Sequence, residues 1–517
     1  MTGRKWFAVS SIVMAGALLL TACFGRADAP VTRTPKPLDP SKPDVVVIGS
    51  EIEGMYLARA AVDEGLSVLV LDPREEPGGQ LLQGEMLYLD EPFDRSGTSL
   101  LQGLVKGLFD EYKKGTIRKL PEYESYYASL SEGIRIVPGI TITSLSTGSP
   151  GGSSPAVKPE GTSPARITAM TYRTKNGEEK TVSAQYWVEN TDHAALSSRL
   201  GLKRIPGMET VFPAKGKDYM ASSVMMKFKG VDWKKFAKEV GGLPKAQRFE
   251  KYGVNTDVSK DFAYGLGNIG KSYKPSSKEV FLRGLNVVNQ RDGEALINAL
   301  LVFGVNPADA ESVKKANELG VSETLKVRDH LRRELPGWEN AEVNGYPRYL
   351  YIRDYDRYET EYVLQASDLF SGTLFPDTVG IAGYALDLQG TKANPWGTEI
   401  GKSDRYGMPL RSFLYKGYAN VIAAGKNVGA SAVAYGSARI QPNTAQAGEV
   451  IGAILGLIDG RHELASIPEE EMKRLQKLMK KRGIELNGKP GRNLIEGYSP
   501  QQIEQVNQGK LVVKPKS

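Results

Sequence analysis

Residues 44–80 constrain the fold of this chain more than any other stretch of the sequence. Val45 to Ile48 are consecutive branched apolar residues, as expected of a strand buried on both faces of a parallel sheet. Gly49 predicts a sharp turn, and Ile52 to Val62 have the apolar spacing of a helix. A second apolar strand is predicted over Ser67 to Leu71. This order of strand, turn, helix and strand is typical of a dinucleotide-binding unit.

The glycine pattern of that unit is incomplete. Where the pattern requires G-x-G-x-x-G, the chain reads Gly49-Ser50-Glu51-Ile52-Glu53-Gly54, so Glu51 replaces the second glycine. That glycine normally lets the backbone approach a pyrophosphate at the helix N-terminus. The Glu51 carboxylate therefore either repels phosphate or points away and caps free N–H groups of the first helical turn.

Asp72 and the residues after it extend the unit. Asp72 to Gly79 follow an acid-x5-Gly-Gly pattern. A carboxylate at Asp72 suits the hydroxyls of an adenosine ribose, because it can accept two hydrogen bonds. Gly78 and Gly79 provide a bare backbone that a cofactor can approach closely. Pro77-Gly78-Gly79 taken alone is more often a plain turn, but the order of all these features favours a nucleotide site.

Length, charge and cysteine count narrow the class of protein. The 517 residues suffice for two or three domains. The formal charge of +7 is spread along the chain, which favours proximity to an anionic membrane surface over binding to nucleic acid. The single cysteine excludes an internal disulfide, a Cys-x-x-Cys redox pair and a Cys-ligated iron–sulfur cluster. No spacing of histidines, cysteines and carboxylates indicates a metal site.

The N-terminus reads as an export and anchoring segment. Trp6 to Leu20 form an apolar run that is short for spanning a bilayer, and basic residues precede it. The sequence LTAC that ends at Cys23 resembles the bacterial lipobox, in which the cysteine is acylated. An ordinary signal peptide or a short membrane anchor is the alternative. We predict a lipoprotein signal over residues 1–23, with Cys23 lipidated at the extracellular face of the cell membrane, and a proline-rich tether over residues 24–43.

Periodicity and turn signals predict the remaining elements. They are a helix over 100–113; strands over 134–137 and 140–145; hairpin strands over 166–172 and 181–188 joined by Asn176-Gly177; strands over 224–228 and 280–282; helices over 308–319 and 322–335; a strand from Asn420; a helix from about Pro442; and a charged helix over 468–482. We predict a nucleotide-binding domain in two parts, residues 44–205 and 394–465, a substrate domain over 206–393, and a C-terminal helical extension over 466–517.

Several blocks of the chain resemble the FAD-dependent oxidoreductase family that is distantly related to fumarate-reductase-type flavoproteins. They are residues 44–79, YWVENTDHAALSSRLG, LPGWENAEV, IRDYDRYETEYVL, YGMPLRSFLYKGYANVIAAGKNVG and GSARIQPNTAQAGEVIGAILGL. The acid-x5-Gly-Gly extension resembles FAD-binding proteins of the glutathione-reductase-like fold. The resemblance implies an α/β chain, with a Rossmann-like, glutathione-reductase-like FAD-binding domain, an inserted α+β substrate domain and non-covalent FAD.

The resemblance also implies site residues. Cofactor contacts are implied at Gly49, Ser50, Glu51, Gly54, Asp72, Pro73, Gly78, Gly79, Gln80, Ile142, Thr191, Asp192, Gly425, Lys426, Asn427, Arg439, Gln441, Asn443 and Thr444. Residues 425–427 and 441–444 should flank the ribityl chain and the isoalloxazine. Residues 189–192 read Glu-Asn-Thr-Asp where the family has Ala-Thr-Gly-Asp, which leaves a close backbone approach there in doubt.

Three arginines, Arg353, Arg357 and Arg411, match the family's blocks and are the candidate catalytic residues. A guanidinium near the flavin could bind a carboxylate or orient a hydride donor. The alternative is a structural ion pair with neighbours such as Asp354 and Asp356.

The resulting hypothesis is an exported, lipid-anchored FAD oxidoreductase that takes a hydride from a small-molecule substrate and passes electrons to oxygen or a membrane quinone. A non-catalytic binding module at the cell surface is the alternative, motivated by Glu51 and the altered residues 189–192. A third hypothesis, a dehydrogenase that uses only a nicotinamide cofactor, is disfavoured because it gives Gly78-Gly79 and the C-terminal blocks no role. The sequence leaves the substrate and the oligomeric state open.

Overall fold

The structure is a computed structural model that describes residues 33–148 and 164–514. Residues 1–23, Cys23 included, and the first part of the tether lie outside the described residues, so lipidation stays a prediction. Within the described ranges the strands are β1 Val45–Ile48, β2 Val68–Asp72, β3 Arg135–Pro138, β4 Thr141–Gly148, β5 Arg166–Arg173, β6 Glu179–Val182, β7 Tyr186–Glu189, β8 Ser222–Lys229, β9 Asp257–Val258, β10 Phe262–Tyr264, β11 Val280–Arg291, β12 Glu294–Val302, β13 Glu342–Val343, β14 Thr378–Ala382, β15 Ala385–Leu388, β16 Thr398–Lys402, β17 Tyr406–Pro409 and β18 Val421–Ala423.

The α-helices of the same ranges are α1 Ile52–Asp63, α2 Gly79–Leu82, α3 Gly103–Lys114, α4 Leu120–Leu130, α5 Trp233–Phe236, α6 Lys245–Tyr252, α7 Gly267–Ser272, α8 Ala310–Glu334, α9 Ala366–Ser371, α10 Ala432–Ala438, α11 Gln441–Ile458, α12 Glu469–Lys481 and α13 Pro500–Asn507. None of these described helices is long and apolar enough to cross a membrane. The mixed α/β class predicted from the sequence is confirmed.

The first sheet is parallel and has the strand order β18–β7–β1–β2–β3. Val45 of the central strand pairs with Val68 of β2 on one side and with Tyr186 of β7 on the other. Every residue of β1, β2 and β7 is buried, which explains why these strands read as apolar runs. The predicted strand, helix and second strand of residues 44–80 are confirmed, and β1, β2 and β7 end at the same edge of the sheet.

Helix α11 packs tightly against α1. A Cβ atom on Gly448 would lie 2.7 Å from the carbonyl oxygen of Glu53, and one on Gly452 would overlap the carbonyl oxygen of Leu57. The small residues of α11 therefore permit a close helix–helix approach. This contact fixes the C-terminal part of the chain against the turn that follows β1.

The second sheet is antiparallel and has the order β13–β8–β12–β11–β10–β9. All its strands fall between residues 222 and 343, inside the predicted substrate domain, although the boundaries of that domain stay predictions. The prediction of two helices over 308–319 and 322–335 is wrong, because α8 runs through both. Gly320 does not end the helix; its missing side chain admits Val224 of β8, which a Cβ atom would overlap.

The hairpin predicted over 166–188 is only partly present. β4, β5 and β6 form an antiparallel sheet, and Gly177 takes φ +86° in the predicted turn. The single strand predicted over 181–188 is wrong, since it divides into β6 and β7. Val182 pairs with Met170 in the hairpin, whereas Tyr186 already pairs with Val45 in the parallel sheet. Two further antiparallel pairs, β14–β17 and β15–β16, precede β18.

Candidate functional site

The Ser50 hydroxyl organises the turn after β1. It donates to the Asp72 carboxylate at the end of β2, and it accepts the backbone N–H of Gly78 at 2.8 Å. Gly49 and Gly78 take φ of +92° and +100°, values that favour glycine. A single hydroxyl therefore joins both halves of the predicted nucleotide unit. Because Asp72 also accepts the N–H of Arg74 at 2.8 Å, its carboxylate is held at the sheet edge.

The Glu51 side chain turns inward. Glu51 precedes α1, but its carboxylate makes no hydrogen bond that caps this helix. It accepts instead the backbone N–H of Gln80, at the start of α2, at 2.8 Å. A Cβ atom on Gly79 would overlap the same carboxylate, so the glycine makes room for it. The expectation that Glu51 caps its own helix is therefore wrong: the side chain bridges to the neighbouring one.

A chain of buried polar groups continues from Glu51. Lys426 Nζ lies 3.6 Å from Glu51 Oε1, 3.2 Å from Gln80 Oε1 and 2.9 Å from the carbonyl oxygen of Ile352. The Gln80 amide in turn donates to Glu53 Oε1 at 3.0 Å. Burial, followed by the charge of Glu51, raises the pKa of Glu53 to about 7, and burial raises the pKa of Glu51 against the opposing charge of Lys426. Glu51 Oε1 and Glu53 Oε2 have no hydrogen-bond partner.

Asn190 directly follows β7 and stands where the family's Ala-Thr-Gly-Asp segment has threonine, one residue before the position of the missing glycine. Its amide oxygen accepts the Gly54 N–H at 3.1 Å, and its amide nitrogen donates to the carbonyl oxygens of Gly49 and Glu51 at 3.2 and 2.8 Å. A Cβ atom on Gly54 would overlap the Asn190 side chain. The departure from the family pattern is therefore a side chain that braces the turn after β1.

Glu189 is a second buried residue whose role the sequence did not reveal. Its carboxylate accepts the N–H groups of Thr191, Leu196 and Ser197 at 2.8 to 2.9 Å. It is fully buried and satisfies backbone donors that the sharp turn after β7 leaves free. Its position directly before Asn190 was the only sequence signal for this role.

A cavity of about 1090 Å³ opens beside the segments that follow β2 and β7. Pro73, Ile142 and His193 line it, together with Arg74 and Tyr349. The Arg74 guanidinium lies 3.4 Å from the centre of the Tyr349 ring and forms an ion pair with Asp192. Burial alone would raise the pKa of Asp192, but the Arg74 charge lowers it, so this carboxylate is ionised. The sequence predicted Pro73, Ile142 and Asp192 here and missed Arg74 and Tyr349.

The C-terminal part of the chain closes the opposite side of the site. The Asn427 amide donates to the carbonyl oxygen of Thr191 at 2.8 Å, which joins the segment after β18 to the segment after β7. The Tyr435 hydroxyl donates to the carbonyl oxygens of Lys426 and Arg353 at 3.0 and 3.1 Å. Gly425 takes φ +56°, and a Cβ atom there would lie 3.3 Å from Glu53.

The start of α11 leaves polar groups unused. Ile440, which precedes the helix, offers no side-chain cap to the first N–H groups. The Asn443 amide nitrogen donates to Ser437 at 3.1 Å, while its oxygen has no partner, and Thr444 donates only to Gln441, at 3.3 Å. These predicted residues adjoin Arg439.

The three candidate catalytic arginines lie in different surroundings. Arg353 is buried and donates to Ala221 and Ser223. Arg357 pairs with Asp354 at 3.1 Å and stacks on Tyr435, so the ion-pair alternative describes it. Arg411 pairs with Asp377 at 3.0 Å and is half exposed, and none of its hydrogen bonds joins it to Arg353 or Arg439.

The structure thus brings together the glycine turn, Asp72, residues 78–80, residues 191–192 and residues 425–427, and it leaves Arg411 apart. Among the described residues, no group of three or more histidines, cysteines, aspartates and glutamates could hold a metal ion.

Comparison with known proteins gives a family match. Residues 44–479 match the model of a family described as FAD dependent oxidoreductase. Among solved structures, the chain is similar to a geranylgeranyl bacteriochlorophyll reductase-like protein from Thermoplasma acidophilum, with 12% identity, a TM-score of 0.39, and coverage of 86% of this chain and 84% of that one. It is also similar to a flavoprotein/dehydrogenase from Cytophaga hutchinsonii, with 11% identity, a TM-score of 0.37, and coverage of 91% and 97%. No curated protein matches the chain.

Proposed function

Since the chain belongs to the FAD dependent oxidoreductase family and has FAD as its cofactor, we propose that it is an enzyme that oxidises a small substrate by hydride transfer. Electrons then pass to oxygen or to a membrane quinone. The finer arrangement that we propose is the glutathione-reductase-like one, with the adenosine end of FAD at β2 and the flavin end at α11.

The residues at the adenosine end fit this cofactor. Asp72 stands at the carboxyl end of β2, next to the cavity of about 1090 Å³, and each of its oxygens has one hydrogen-bond donor and a further lone pair. A buried Arg74 nitrogen, Nη1, has no partner and adds unused hydrogen-bonding capacity. These groups would hold the ribose and adenine.

The residues at the pyrophosphate position fit FAD if Glu51 is neutral. The Glu51 carboxylate lies where the second glycine of the pattern leaves room for phosphate, so an ionised Glu51 would oppose it. Burial raises the pKa of Glu51, which favours the neutral acid. Neutral Glu51 can donate a hydrogen bond to a phosphate oxygen, and the nearby Lys426 can neutralise phosphate charge.

The observation that carries the proposal is that two distant parts of the chain meet at one place. Lys426 contacts Gln80 and approaches Glu51, and Asn427 contacts Thr191. Bound FAD supplies an acceptor for a hydride. The protein's own residues orient it: the start of α11, with the unpartnered Asn443 oxygen, presents a positive helix end and polar groups to the flavin end.

We infer the place of action from the N-terminus. Acylation of Cys23 would hold the enzyme at the extracellular face of the membrane, where reduced nicotinamides are absent and a quinone is within reach. Mass spectrometry of the mature protein should then find an acyl group on Cys23 that a Cys23→Ala variant lacks. A wild-type protein without an acyl group on Cys23 would contradict lipid anchoring.

The test of the enzymatic proposal is an absorbance spectrum with identification of the released cofactor. We expect bound FAD that dithionite reduces and that oxygen or a short-chain quinone reoxidises. A protein that stays colourless after refolding with excess FAD would contradict the proposal. A second candidate, the non-catalytic module, is favoured by the side chains of Glu51 and Asn190, which fill space near the predicted pyrophosphate. Bound flavin that no acceptor reoxidises would support it.

A further inference from the structure

Three arginines from distant parts of the chain converge between the second sheet and the start of α11. Arg283 belongs to β11, Arg353 follows the bridge of Tyr351 to β8, and Arg439 ends α10. The Arg353 guanidinium lies 4.6 Å from the centre of the Tyr351 ring, and Arg439 Nη1 donates to the hydroxyl of the same tyrosine at 3.4 Å. Tyr351 therefore lies between two guanidinium groups.

These guanidinium groups have no carboxylate partner. Arg353 donates to the carbonyl oxygen of Ala221 and to the hydroxyl of Ser223, and Arg283 donates to the carbonyl oxygen of Asn298. No described carboxylate lies within ion-pairing distance of any of the three arginines. The Nε atoms of Arg283 and Arg439 are buried and have no hydrogen-bond partner, so donors remain unused in the cluster.

Other arginines nearby do form ion pairs with carboxylates. Arg357 pairs with Asp354, and Arg204 pairs with both Asp356 and Glu209. Arg353 and Arg439 are only 2% and 6% exposed, so water cannot compensate their charges freely. Leaving a buried charge without a partner is strongly destabilising. Burial is the main reason that the pKa of Arg353 falls to about 10, and the charges of Arg439 and Arg283 lower it further.

Three acids face the cluster without pairing with it: Asp90, Asp387 and Asp354, the last of which is paired with Arg357. Asp90 is hydrogen-bonded to Tyr384, and Asp387 accepts a hydrogen bond from Gln389. Both act on the arginines electrostatically, and burial raises the pKa of Asp90, which favours its neutral form. Because Arg357 already matches the charge of Asp354, only Asp90 and Asp387 remain to balance three guanidinium groups, so the cluster retains positive charge even with both acids ionised.

We propose that Arg283, Arg353 and Arg439 bind a carboxylate group of the substrate. This assignment rests on the proposed function, because the cluster adjoins the α11 start at which the flavin is expected. A carboxylate accepts paired hydrogen bonds from guanidinium groups, and Tyr351 gives it a hydroxyl as well. The substrate class is therefore a small organic acid, held with its oxidisable carbon toward the cofactor.

Malonate is a suitable probe, and malonamide is its uncharged match. In the FAD-loaded protein, we expect malonate to change the flavin absorbance spectrum saturably and malonamide to leave it unchanged. The Arg283→Gln and Arg439→Gln variants should raise the malonate Kd at least tenfold. Arg332→Gln is the control, because Arg332 lies on α8 and pairs with Glu342. Equal binding of malonate by the control and by both cluster variants would overturn the proposal.

A thermal-shift assay on the protein without FAD separates this inference from the proposed function. Malonate that stabilises the wild type but neither cluster variant supports the anion site even if the protein proves redox-inactive. FAD binding and reoxidation combined with no malonate effect in either assay would overturn the anion site and leave the oxidoreductase proposal standing. The two variants guard against misfolding, since Arg283 is partly exposed and tolerates replacement better than Arg353.

Discussion

The Glu51 carboxylate accepts the backbone N–H of Gln80 at 2.8 Å, across the space that a dinucleotide pattern reserves for pyrophosphate. A buried acidic side chain thus stands where the motif has a bare glycine backbone. The cofactor must displace this hydrogen bond or share the space with a neutral side chain.

Glu51→Gln should therefore strengthen FAD binding at high pH. We expect the wild-type Kd for FAD to rise with pH as Glu51 ionises, and burial moves this ionisation above the ordinary carboxyl range because it raises the pKa of Glu51. The variant carries no charge at position 51, so its affinity should depend less on pH than that of the wild type and be about tenfold higher at pH 8. Titration of FAD with quenching of its fluorescence measures both. Glu51→Gly removes the side chain and so tests whether its volume, rather than its charge, opposes FAD binding. Weaker FAD binding by both variants would show that the Glu51 side chain helps to bind the cofactor.

Replacing Glu53 should change how stability depends on pH. Its pKa of about 7 in the folded protein exceeds the ordinary 4.5, so the fold binds the proton more tightly than the unfolded chain. The stabilisation is fully present below pH 4.5 and is lost as pH rises through about 7, on the order of 3 kcal/mol in total. Glu53→Gln should flatten this decline in urea unfolding.

The control for that measurement is Glu471→Gln on α12. The pKa of Glu471 is lowered, mainly by its hydrogen bond with Arg474, so its contribution is lost only as pH falls. An unchanged pH profile in Glu53→Gln would mean that the proton resides elsewhere in the Glu51–Gln80–Lys426 group.

Asp72→Ala should reduce the FAD content of the purified protein. The carboxylate is the acid at the end of β2, and we expect its loss to raise the Kd for FAD at least tenfold, about 1.4 kcal/mol. Asp72→Asn keeps one oxygen acceptor and should fall between wild type and Asp72→Ala. The ratio of flavin absorbance to protein absorbance provides the readout, and equal ratios in all three proteins would argue against a ribose contact.

Gly452→Ala should destabilise the protein, because the added Cβ atom meets the Leu57 carbonyl of α1. Overpacking at such a contact costs about 1–3 kcal/mol. Gly107→Ala is a matched control, since Gly107 lies in α3 with nothing within 4 Å of an added Cβ atom, and alanine there should stabilise by about 0.5–1 kcal/mol. Thermal unfolding compares the two, and equal melting temperatures would show that α11 can shift.

Local patterns predicted the elements of the first sheet well. The four apolar residues from Val45 to Ile48 predicted β1. The structure confirms this prediction, because a strand that is covered on both faces needs apolar residues throughout. The same reasoning failed at 181–188, where one apolar-rich run serves two sheets. Only the distant partners, Met170 and Val45, decide where the strand divides.

The candidate site was predictable where a glycine or an acid has a fixed place in a motif, as at Gly49, Asp72 and Gly79. It was not predictable where a side chain hydrogen-bonds or pairs with a group that is distant in the sequence. Asn190, which follows a strand far along the chain, accepts the Gly54 N–H, and Arg74 forms an ion pair with Asp192 beside the cavity. Arg283 lay in an ordinary strand pattern, and only the folded chain brings its charge within electrostatic reach of Arg353.

Strand β18 completes the first sheet by pairing with β7, although the whole second sheet lies between them in the sequence. Pairings of such high contact order form slowly, because chain entropy is lost before the contacts stabilise it. A nascent or truncated chain that stops before Ala423 leaves the β7 edge open, with unpaired N–H and C=O groups that favour aggregation. Maturation of the cofactor site must therefore wait for nearly the entire polypeptide, and chaperone protection matters most in that interval.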